Sequence, residues 1–282
     1  LRLADMAGRY RAEVKTIEKP WGEWFSLDEL EAALIEHKPA ILAMVHAETS
    51  TGVCQPMEGI GDLCRKHDCL LLLDTVTSLG GVPLYIDEWK VDLAYSCSQK
   101  GLSCPPGLGP FTMGPRAEAK MTARQGKVPN WYLDVSLLNQ YWGSDRVYHH
   151  TAPVNMNFGM REALRLLAEE GLDQAWARHR SNAEMLWNGL ESLGLSMHVP
   201  AERRLPTLTT VRIPEGVDGK AFSQHLLNNH GIEVGGGLGS LAGKIWRIGL
   251  MGYNSTPENV NRLLNLFETE LPRFSGSVAA AA

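Results

Sequence analysis

Short apolar runs alternate with helix-forming segments along the first third of the chain. The runs "AILAMVH" (Ala40–His46) and "CLLLLD" (Cys69–Asp74) have the length of strands, and "VDLAYSCS" (Val91–Ser98) follows a turn that contains Gly80 and Gly81. Continuous apolar runs of this length are typical of strands in a parallel sheet, so we expect Ala40–His46 to be buried on both faces. The strand–helix–strand repeats predict an α/β fold with a mostly parallel sheet and right-handed crossovers.

Helix signals fill the gaps between these runs. Ser26 and Glu29 form the S-x-x-E pattern of a capping box, and the apolar residues Leu27, Leu30 and Leu34 keep helical spacing. The later segment "MEGIGDLCRKHD" also suits a helix. Crossover elements are therefore present where a parallel sheet needs them.

The pattern changes after Pro115. The segment "NWYLDVSLLNQYWG" is rich in aromatic residues, which indicates a large interface or a core. A long amphipathic helical stretch begins near Phe158 and is interrupted at Gly171, and short strands and helices follow it. We therefore expect a large domain over residues 1–158, a smaller C-terminal α+β domain over residues 159–274, and a low-complexity tail or tag over residues 275–282.

Composition excludes several classes of partner. The 282-residue chain has a net charge of -5 and a pI of about 6.0, so nothing indicates binding to nucleic acid or to an anionic membrane. Its longest apolar runs are too short to cross a bilayer. Five cysteines without paired CxxC spacing predict reduced thiols and no metal site. These thiols, and a C-terminus without an S-K-L-type ending, favour the cytoplasm.

Polar residues follow three of the expected strands at the point where each one ends. These residues are the group Glu48, Thr49 and Ser50, then Asp74, and then the pair Gln99 and Lys100. Because open parallel sheets bind ligands beyond the carboxyl ends of their strands, we expect these side chains to share one crevice. The alternative is that they are ordinary loop residues, since polar loops follow strands in any α/β protein. Three complementary groups favour the crevice.

The surroundings of Lys100 are unusual for a lysine. It stands in "AYSCSQKGLSCPPG", a tight bend of small, hydroxyl and thiol residues. It is either a surface lysine in a loop or a lysine whose neutral amine acts as a nucleophile. A lysine near a carboxylate suits pyridoxal 5'-phosphate, because the aldehyde needs an amine and the ring nitrogen needs an anionic partner. Asp74 would be that partner, with Thr49 and Gln99 as donors to the ring oxygen and the phosphate.

Several of these segments together resemble one enzyme family. The stretch "ETSTG…LLLLDTVTSLGG…YSCSQKGLSCPPG" is similar to the class V, fold type I, pyridoxal phosphate-dependent aminotransferases, above all the alanine–glyoxylate and serine–pyruvate aminotransferases. The segments "YHHT" (Tyr148–Thr151) and "GGGLG…KIWRIGLMGYN" match the same family. The sequences of the segments resemble those of bacterial, cyanobacterial-like members. The similarity spans nearly all of residues 1–272. Members carry a further N-terminal stretch of roughly a hundred residues, with a phosphate loop and a ring-stacking aromatic residue, that is not in this sequence.

The resemblance implies a role for each matching residue. Lys100 would form the Schiff base with the cofactor and move the proton, Asp74 would pair with the ring nitrogen, and Val76 would pack on one ring face. Thr49 would bind the ring hydroxyl oxygen, and Gln99 would contact the phosphate. Tyr148 and Thr151 would reach the phosphate of the cofactor in the other subunit of a homodimer. Arg247 would bind the substrate carboxylate through two hydrogen bonds.

The activity implied is transfer of an amino group from alanine or serine to glyoxylate or pyruvate by a ping-pong route. One alternative is a β-lyase of the kynureninase or cysteine desulfurase type, and another is a different class V transaminase such as a 3-hydroxykynurenine transaminase. Desulfurases place a histidine before the lysine and a cysteine on a distal loop. Gln99 precedes Lys100 here, and no cysteine follows Cys104, which argues against desulfuration. A third alternative is a non-catalytic scaffold that keeps the fold. The presence together of Thr49, Asp74, Lys100, Tyr148 and Arg247 argues against it.

Overall fold

The computed structural model describes residues 2–275, and helices and strands alternate through most of them. In the first half the elements are α1 (Arg2–Arg9), α2 (Leu27–His37), β1 (Ile41–Val45), β2 (Ala47–Glu48), β3 (Val53–Cys54), α3 (Ile60–Lys66), β4 (Leu70–Asp74), β5 (Leu93–Tyr95), β6 (Phe111–Met113), α4 (Pro115–Thr122) and α5 (Val135–Trp142). The second half contains α6 (Val154–Glu170), α7 (Leu172–Ser192), β7 (Leu208–Arg212), α8 (Gly219–His230), β8 (Gly235–Gly236), β9 (Ile245–Gly249) and α9 (Pro257–Glu270).

A four-stranded sheet with the order β1-β4-β5-β6 organises the first half. The first three strands are parallel and β6 is antiparallel, so the expected mostly parallel sheet is confirmed and gains one antiparallel edge strand. No helix lies between β5 and β6, and parallel pairing would require a crossover element there. The connecting loop, residues 96–110, therefore turns back on itself and carries Lys100 at the carboxyl edge.

The sheet buries one face far better than the other. Helices α2 and α3 cover a core that includes Met44, Leu71 and Leu73. On the opposite face Ile41 is 46% exposed and Ala43 is exposed as well. Within residues 2–275 β1 is therefore buried on one face only, contrary to the expectation.

Local signals for helix ends agree with the structure. Ser26 caps α2, with its side chain accepting from the Glu29 amide and the Glu29 carboxylate accepting from the Ser26 amide, so the predicted capping box is confirmed. Gly171 has φ +85°, a conformation that favours glycine, and it separates α6 from α7 as expected. Helix α6 begins before the expected domain boundary at residue 158 and runs past it.

A second core lies under the antiparallel sheet β7-β9-β8 of the second half. Trp246, Phe222 and Phe267 meet there in edge-to-face pairs, with ring centroids 5.0–5.5 Å apart. The indole N–H of Trp246 donates to the carbonyl of Gly219 at 2.9 Å, so the buried polar atom is satisfied. Of the expected tail, Ser275 bridges to Val217, and residues 276–282 lie outside the described residues.

The aromatic segment around α5 lies on the surface. Helix α5 has no buried residue, and Trp131 and Trp142 are each 60% exposed. The segment is therefore not part of a core within the described chain, and an interface remains the interpretation that its composition favours. None of the helices described is long and apolar enough to span a membrane.

Candidate active site

The carboxylate of Asp74 stands at the carboxyl end of β4 and is held by two donors. Its Oδ1 accepts the backbone N–H of Val76 at 2.9 Å, and its Oδ2 accepts the hydroxyl of Tyr95 at 2.6 Å. Tyr95 reaches it because the two residues are register partners on the parallel strands β4 and β5. Burial raises the pKa of Tyr95, and the bond to Asp74 adds to that rise, so the phenol stays protonated and donates.

Sequence reasoning did not assign a role to Tyr95. The available signal was its place in "VDLAYSCS", the strand that ends just before Lys100, because neighbouring parallel strands present their ends side by side. The exact partner follows only from the register, which places residue 95 rather than 94 or 96 opposite residue 74.

Ser98 fixes the loop that carries Lys100. Its hydroxyl donates to the carbonyl of Pro105 at 2.7 Å, and its backbone pairs with Cys104 and Leu108 at 3.1 Å each. The carbonyl of Lys100 accepts the N–H of Ser103 at 2.9 Å. The bend that the sequence suggested is thus closed by hydrogen bonds on both sides of the lysine.

The amine of Lys100 is a half-buried cation without a partner. Within residues 2–275 its Nζ makes no hydrogen bond and no ion pair, so the neighbouring side chains leave it available. Its charge still acts nearby: burial raises the pKa of the Cys97 thiol, and Lys100 opposes that rise. A lysine that forms a Schiff base needs an amine that no neighbouring acid holds.

Arg247, on β9 of the small sheet, contacts the turn that carries Thr49. Its Nη1 donates to the Thr49 carbonyl at 3.3 Å, and its Nε donates to the carbonyl of Gly236 at 2.7 Å. No carboxylate lies within 4.0 Å of the guanidinium in the part of the chain that the structure describes. Two further bonds fasten the halves together nearby, from Thr210 Oγ1 to the Thr51 carbonyl at 2.7 Å and from Thr207 Oγ1 to the Thr77 carbonyl at 3.0 Å.

Hydrogen bonds do not join all of the residues that were expected at the site. Gln99 is exposed beside Lys100. Tyr148 is 73% exposed and Thr151 is exposed, and their hydroxyl groups lie 3.1 Å apart. Among the described residues no hydrogen bond links this pair to Lys100, to Asp74 or to Thr49. Arg247 contacts Thr49 through the Thr49 carbonyl, and Tyr148 and Thr151 form a separate exposed pair. That Lys100, Asp74 and Thr49 share one crevice stays a prediction.

The donor set fits pyridoxal 5'-phosphate. A free amine at Lys100 suits the aldehyde, and a carboxylate at Asp74 whose orientation two donors fix suits a protonated ring nitrogen. The Thr49 side chain has no hydrogen-bond partner among residues 2–275, so its hydroxyl is available to a ligand. These donors suit an aromatic aldehyde cofactor at the edge of the sheet, and Arg247 on β9 supplies a cation beside the Thr49 turn.

Comparison with known proteins decides the family. Residues 1–263 match the family described as Aminotransferase class-V. The chain belongs to the class V aminotransferases. This family is pyridoxal phosphate-dependent.

Individual class V aminotransferases are similar over almost the whole chain. The crystal structure of an alanine–glyoxylate aminotransferase from Nostoc sp. shares 66% identity at a TM-score of 0.93 and covers 95% of this chain and 71% of that one. A ureidoglycine–glyoxylate aminotransferase from Bacillus subtilis shares 40% identity at a TM-score of 0.94, covering 96% and 70%. Mouse alanine–glyoxylate aminotransferase is 43% identical over 93% of this chain, which spans 64% of the mouse protein's length.

Proposed function

We propose that the chain is part of a pyridoxal phosphate-dependent transaminase that moves an amino group from a small amino acid, alanine or serine, to glyoxylate or pyruvate. The observation that carries the proposal is the free amine of Lys100 at the same sheet edge as the doubly held carboxylate of Asp74. The names of the Nostoc and Bacillus relatives both include glyoxylate, and this supports glyoxylate as the amino acceptor. The Bacillus relative makes ureidoglycine the second candidate for the donor.

Each site residue has a proposed task. The cofactor supplies an electron sink for the substrate carbanion. Lys100 would hold the cofactor through its amine and would move the proton at the substrate carbon, and Asp74 would keep the ring nitrogen protonated. Arg247 binds the substrate carboxylate with its planar fork, since it is a cation with no carboxylate near it among the described residues. Thr49 binds the ring hydroxyl oxygen, Val76 packs on the ring, and Gln99 contacts the phosphate.

The two half-reactions test this function in the complete protein. With pyridoxal phosphate bound, L-alanine or L-serine should shift the visible absorption band to the near ultraviolet, and glyoxylate or pyruvate should restore it. If the band responds to ureidoglycine and to neither alanine nor serine, ureidoglycine replaces them as the proposed amino donor. A band that never shifts with any amino acid, or release of sulfide or of an aromatic product instead of a new amino acid, would overturn transamination and favour a β-lyase.

We also propose a homodimer in which Tyr148 and Thr151 bind the phosphate of the partner subunit's cofactor. Both residues are exposed, and the ring cluster beside Tyr148 carries the large exposed side chains of Trp131 and Trp142. An apolar surface of this kind is typical of an interface.

Subunit mixing tests the shared site. A Lys100→Ala protein and a Tyr148→Ala, Thr151→Ala double variant should each have little activity. Their mixed dimer should recover activity, because one of its two sites contains only native residues. Dimers that form and stay inactive would contradict shared sites, and a monomeric wild-type protein in sedimentation would contradict the dimer itself.

We place the protein in the cytoplasm. The support is that Cys54, Cys64, Cys69, Cys97 and Cys104 are all free thiols, which suits a reducing compartment. Fractionation of the source cells with an antibody to the chain would test this placement.

A further inference from the structure

Helix α7 holds the 252–255 turn, which follows β9 in the chain. Arg178 Nη1 donates to the carbonyls of Gly252 and Ser255, at 3.0 Å and 2.9 Å. The next residue of the helix, His179, accepts the N–H of Gly252 on its Nε2 at 2.8 Å. Side chains of α7 therefore bind the main chain of the turn at three points.

His179 is a buried histidine whose two ring nitrogens are both bonded. It is 0% exposed, and its Nδ1 donates to the Ala175 carbonyl at 2.6 Å. Burial lowers the pKa of His179, and the charge of Arg178 lowers it further, so the ring is neutral. A neutral ring that donates at Nδ1 accepts at Nε2, and this is the role that the N–H of Gly252 requires. The ring therefore has one tautomer and one orientation.

The 252–255 turn also contacts the bend that carries Lys100. The N–H of Tyr253 donates to Ser103 Oγ at 2.8 Å, and the N–H of Ser103 donates to the Lys100 carbonyl at 2.9 Å. Gly252 lies directly against the same bend, because a Cβ built on it would overlap Ser103 Oγ and lie 3.3 Å from the Lys100 carbonyl oxygen. The turn is thus packed on the main chain of the lysine.

Ser103 has a backbone conformation that needs support from its surroundings. Its φ is +56°, in the left-handed region that residues other than glycine seldom adopt. Such conformations persist only where neighbouring contacts hold them. The hydrogen bonds of Ser98 act on residues 104 and 108, whereas the side chain of Ser103 is held by the 252–255 turn. Loss of the turn would let the bend relax three residues from Lys100.

These contacts form a continuous path from α7 to the lysine. The path runs through His179, Gly252, Tyr253, Ser103 and Lys100, and its hydrogen bonds are 2.8 Å or 2.9 Å long. Apart from Lys100, none of the residues assigned above to the cofactor or the substrate belongs to it. The path also connects the second half of the chain with the loop between β5 and β6.

We propose that His179 is a positioning residue for Lys100. Through the 252–255 turn and Ser103 it holds the main chain of Lys100, so that the amine meets the aldehyde of the cofactor. The inference rests on the proposed function, because it takes Lys100 as the residue that forms the covalent link. His179 itself is buried and acts only through the loop. A displaced amine would weaken the covalent link and leave the other contacts of the cofactor in place.

Two forms of the cofactor separate this role from a structural one. Pyridoxal phosphate can bond covalently to Lys100, whereas pyridoxamine phosphate has an amine in place of the aldehyde and cannot. Titration of the complete apoprotein with each form gives two dissociation constants, and their ratio cancels the contacts that both forms share. His179→Leu removes the acceptor of the Gly252 N–H, so it should weaken binding of pyridoxal phosphate roughly 10-fold and that of pyridoxamine phosphate less than about 2-fold. His179→Gln, whose amide oxygen can accept that N–H, should recover most of the wild-type ratio.

Trp187→Phe is the matched control on the same helix. It removes a buried hydrogen bond, from Trp187 Nε1 to Thr209 Oγ1 at 2.8 Å, that ends on β7 and not on the 252–255 turn. This variant should lower thermal stability and leave the ratio of the two dissociation constants unchanged. Ser103→Ala tests the path at an exposed residue, where folding is not at risk, and should change the ratio in the same direction, roughly 3-fold.

Two results would overturn the positioning role. If His179→Leu weakened the binding of both cofactor forms equally, as a general loss of structure would, His179 would be a structural residue only. An unchanged ratio in Ser103→Ala would show that the path does not reach Lys100, and this result stands even if His179→Leu fails to fold. Failure of the proposed function is distinguishable, because borohydride reduction would then leave no cofactor on Lys100 in the wild-type protein either.

Discussion

Replacing Lys100 with alanine is expected to abolish both covalent attachment of the cofactor and transamination. Proton transfer by one positioned side chain contributes roughly 10²- to 10⁴-fold to a rate, and the variant loses this contribution together with the covalent link. The hydrogen bonds of Ser98 fix the loop of residues 96–110, and this loop contains no lysine other than Lys100. Borohydride reduction followed by intact-mass measurement should show the cofactor bound to the wild type and absent from the variant.

Lys120→Ala is the matched control for this experiment. Lys120 is a surface lysine that donates to the Asp68 carbonyl at 3.2 Å, so its removal should change neither the mass after reduction nor the turnover. A Lys100→Ala protein that still retained the cofactor after reduction would show that another lysine forms the link. The proposed role of Lys100 would then be wrong even if the protein proved to be a transaminase.

Local patterns predicted the sheet and the helix ends well. Strand length and apolar continuity located β1, β4 and β5, and the capping box located the start of α2. Such signals depend on residues close together in the chain. The antiparallel strand β6 was not expected, because the sequence "GLGPFTMG" contains turn residues and only a short apolar group, and its pairing with β5 depends on how the loop between them closes.

Burial on the second face of β1 could not be predicted from the apolar run. An apolar residue such as Ile41 gives the same sequence signal whether it is covered or not, and in the described structure it is 46% exposed. Contacts between distant parts of the chain could not be predicted either, because local sequence patterns do not report them. The bond from Arg247 to the Thr49 carbonyl spans 198 residues, so the resemblance to a family, and not spacing, suggested that Arg247 belongs to the site.

The second large effect is expected from Asp74→Asn. The native carboxylate accepts two hydrogen bonds, from Val76 N–H and Tyr95 O–H, on two different oxygens. Asparagine offers one oxygen and one NH₂ group, so one donor then faces another donor, and the negative charge is lost as well. We expect turnover to fall about 10²- to 10³-fold, the range for removing one preorganised electrostatic partner. Titration of the apoprotein with pyridoxal phosphate should also show weaker binding.

Two further variants separate charge from packing. Tyr95→Phe removes one hydrogen bond and keeps the carboxylate, so its effect should be smaller, roughly 10-fold. Asp92→Asn alters a buried acid, 4% exposed and paired with Arg116 at 2.9 Å, and should lower thermal stability without weakening cofactor binding. If Asp74→Asn likewise lowered thermal stability without weakening cofactor binding, the role of Asp74 would be structural.

A modified cofactor gives the sharpest test of the Asp74 charge. Pyridoxal phosphate methylated on its ring nitrogen stays positively charged without any protein partner. If Asp74 acts by keeping that nitrogen protonated, the methylated cofactor should recover part of the lost turnover in Asp74→Asn and should give no gain in the wild type. If Asp74 acts only by holding Tyr95 and Val76 in place, the methylated cofactor cannot restore turnover, because neither hydrogen bond is rebuilt.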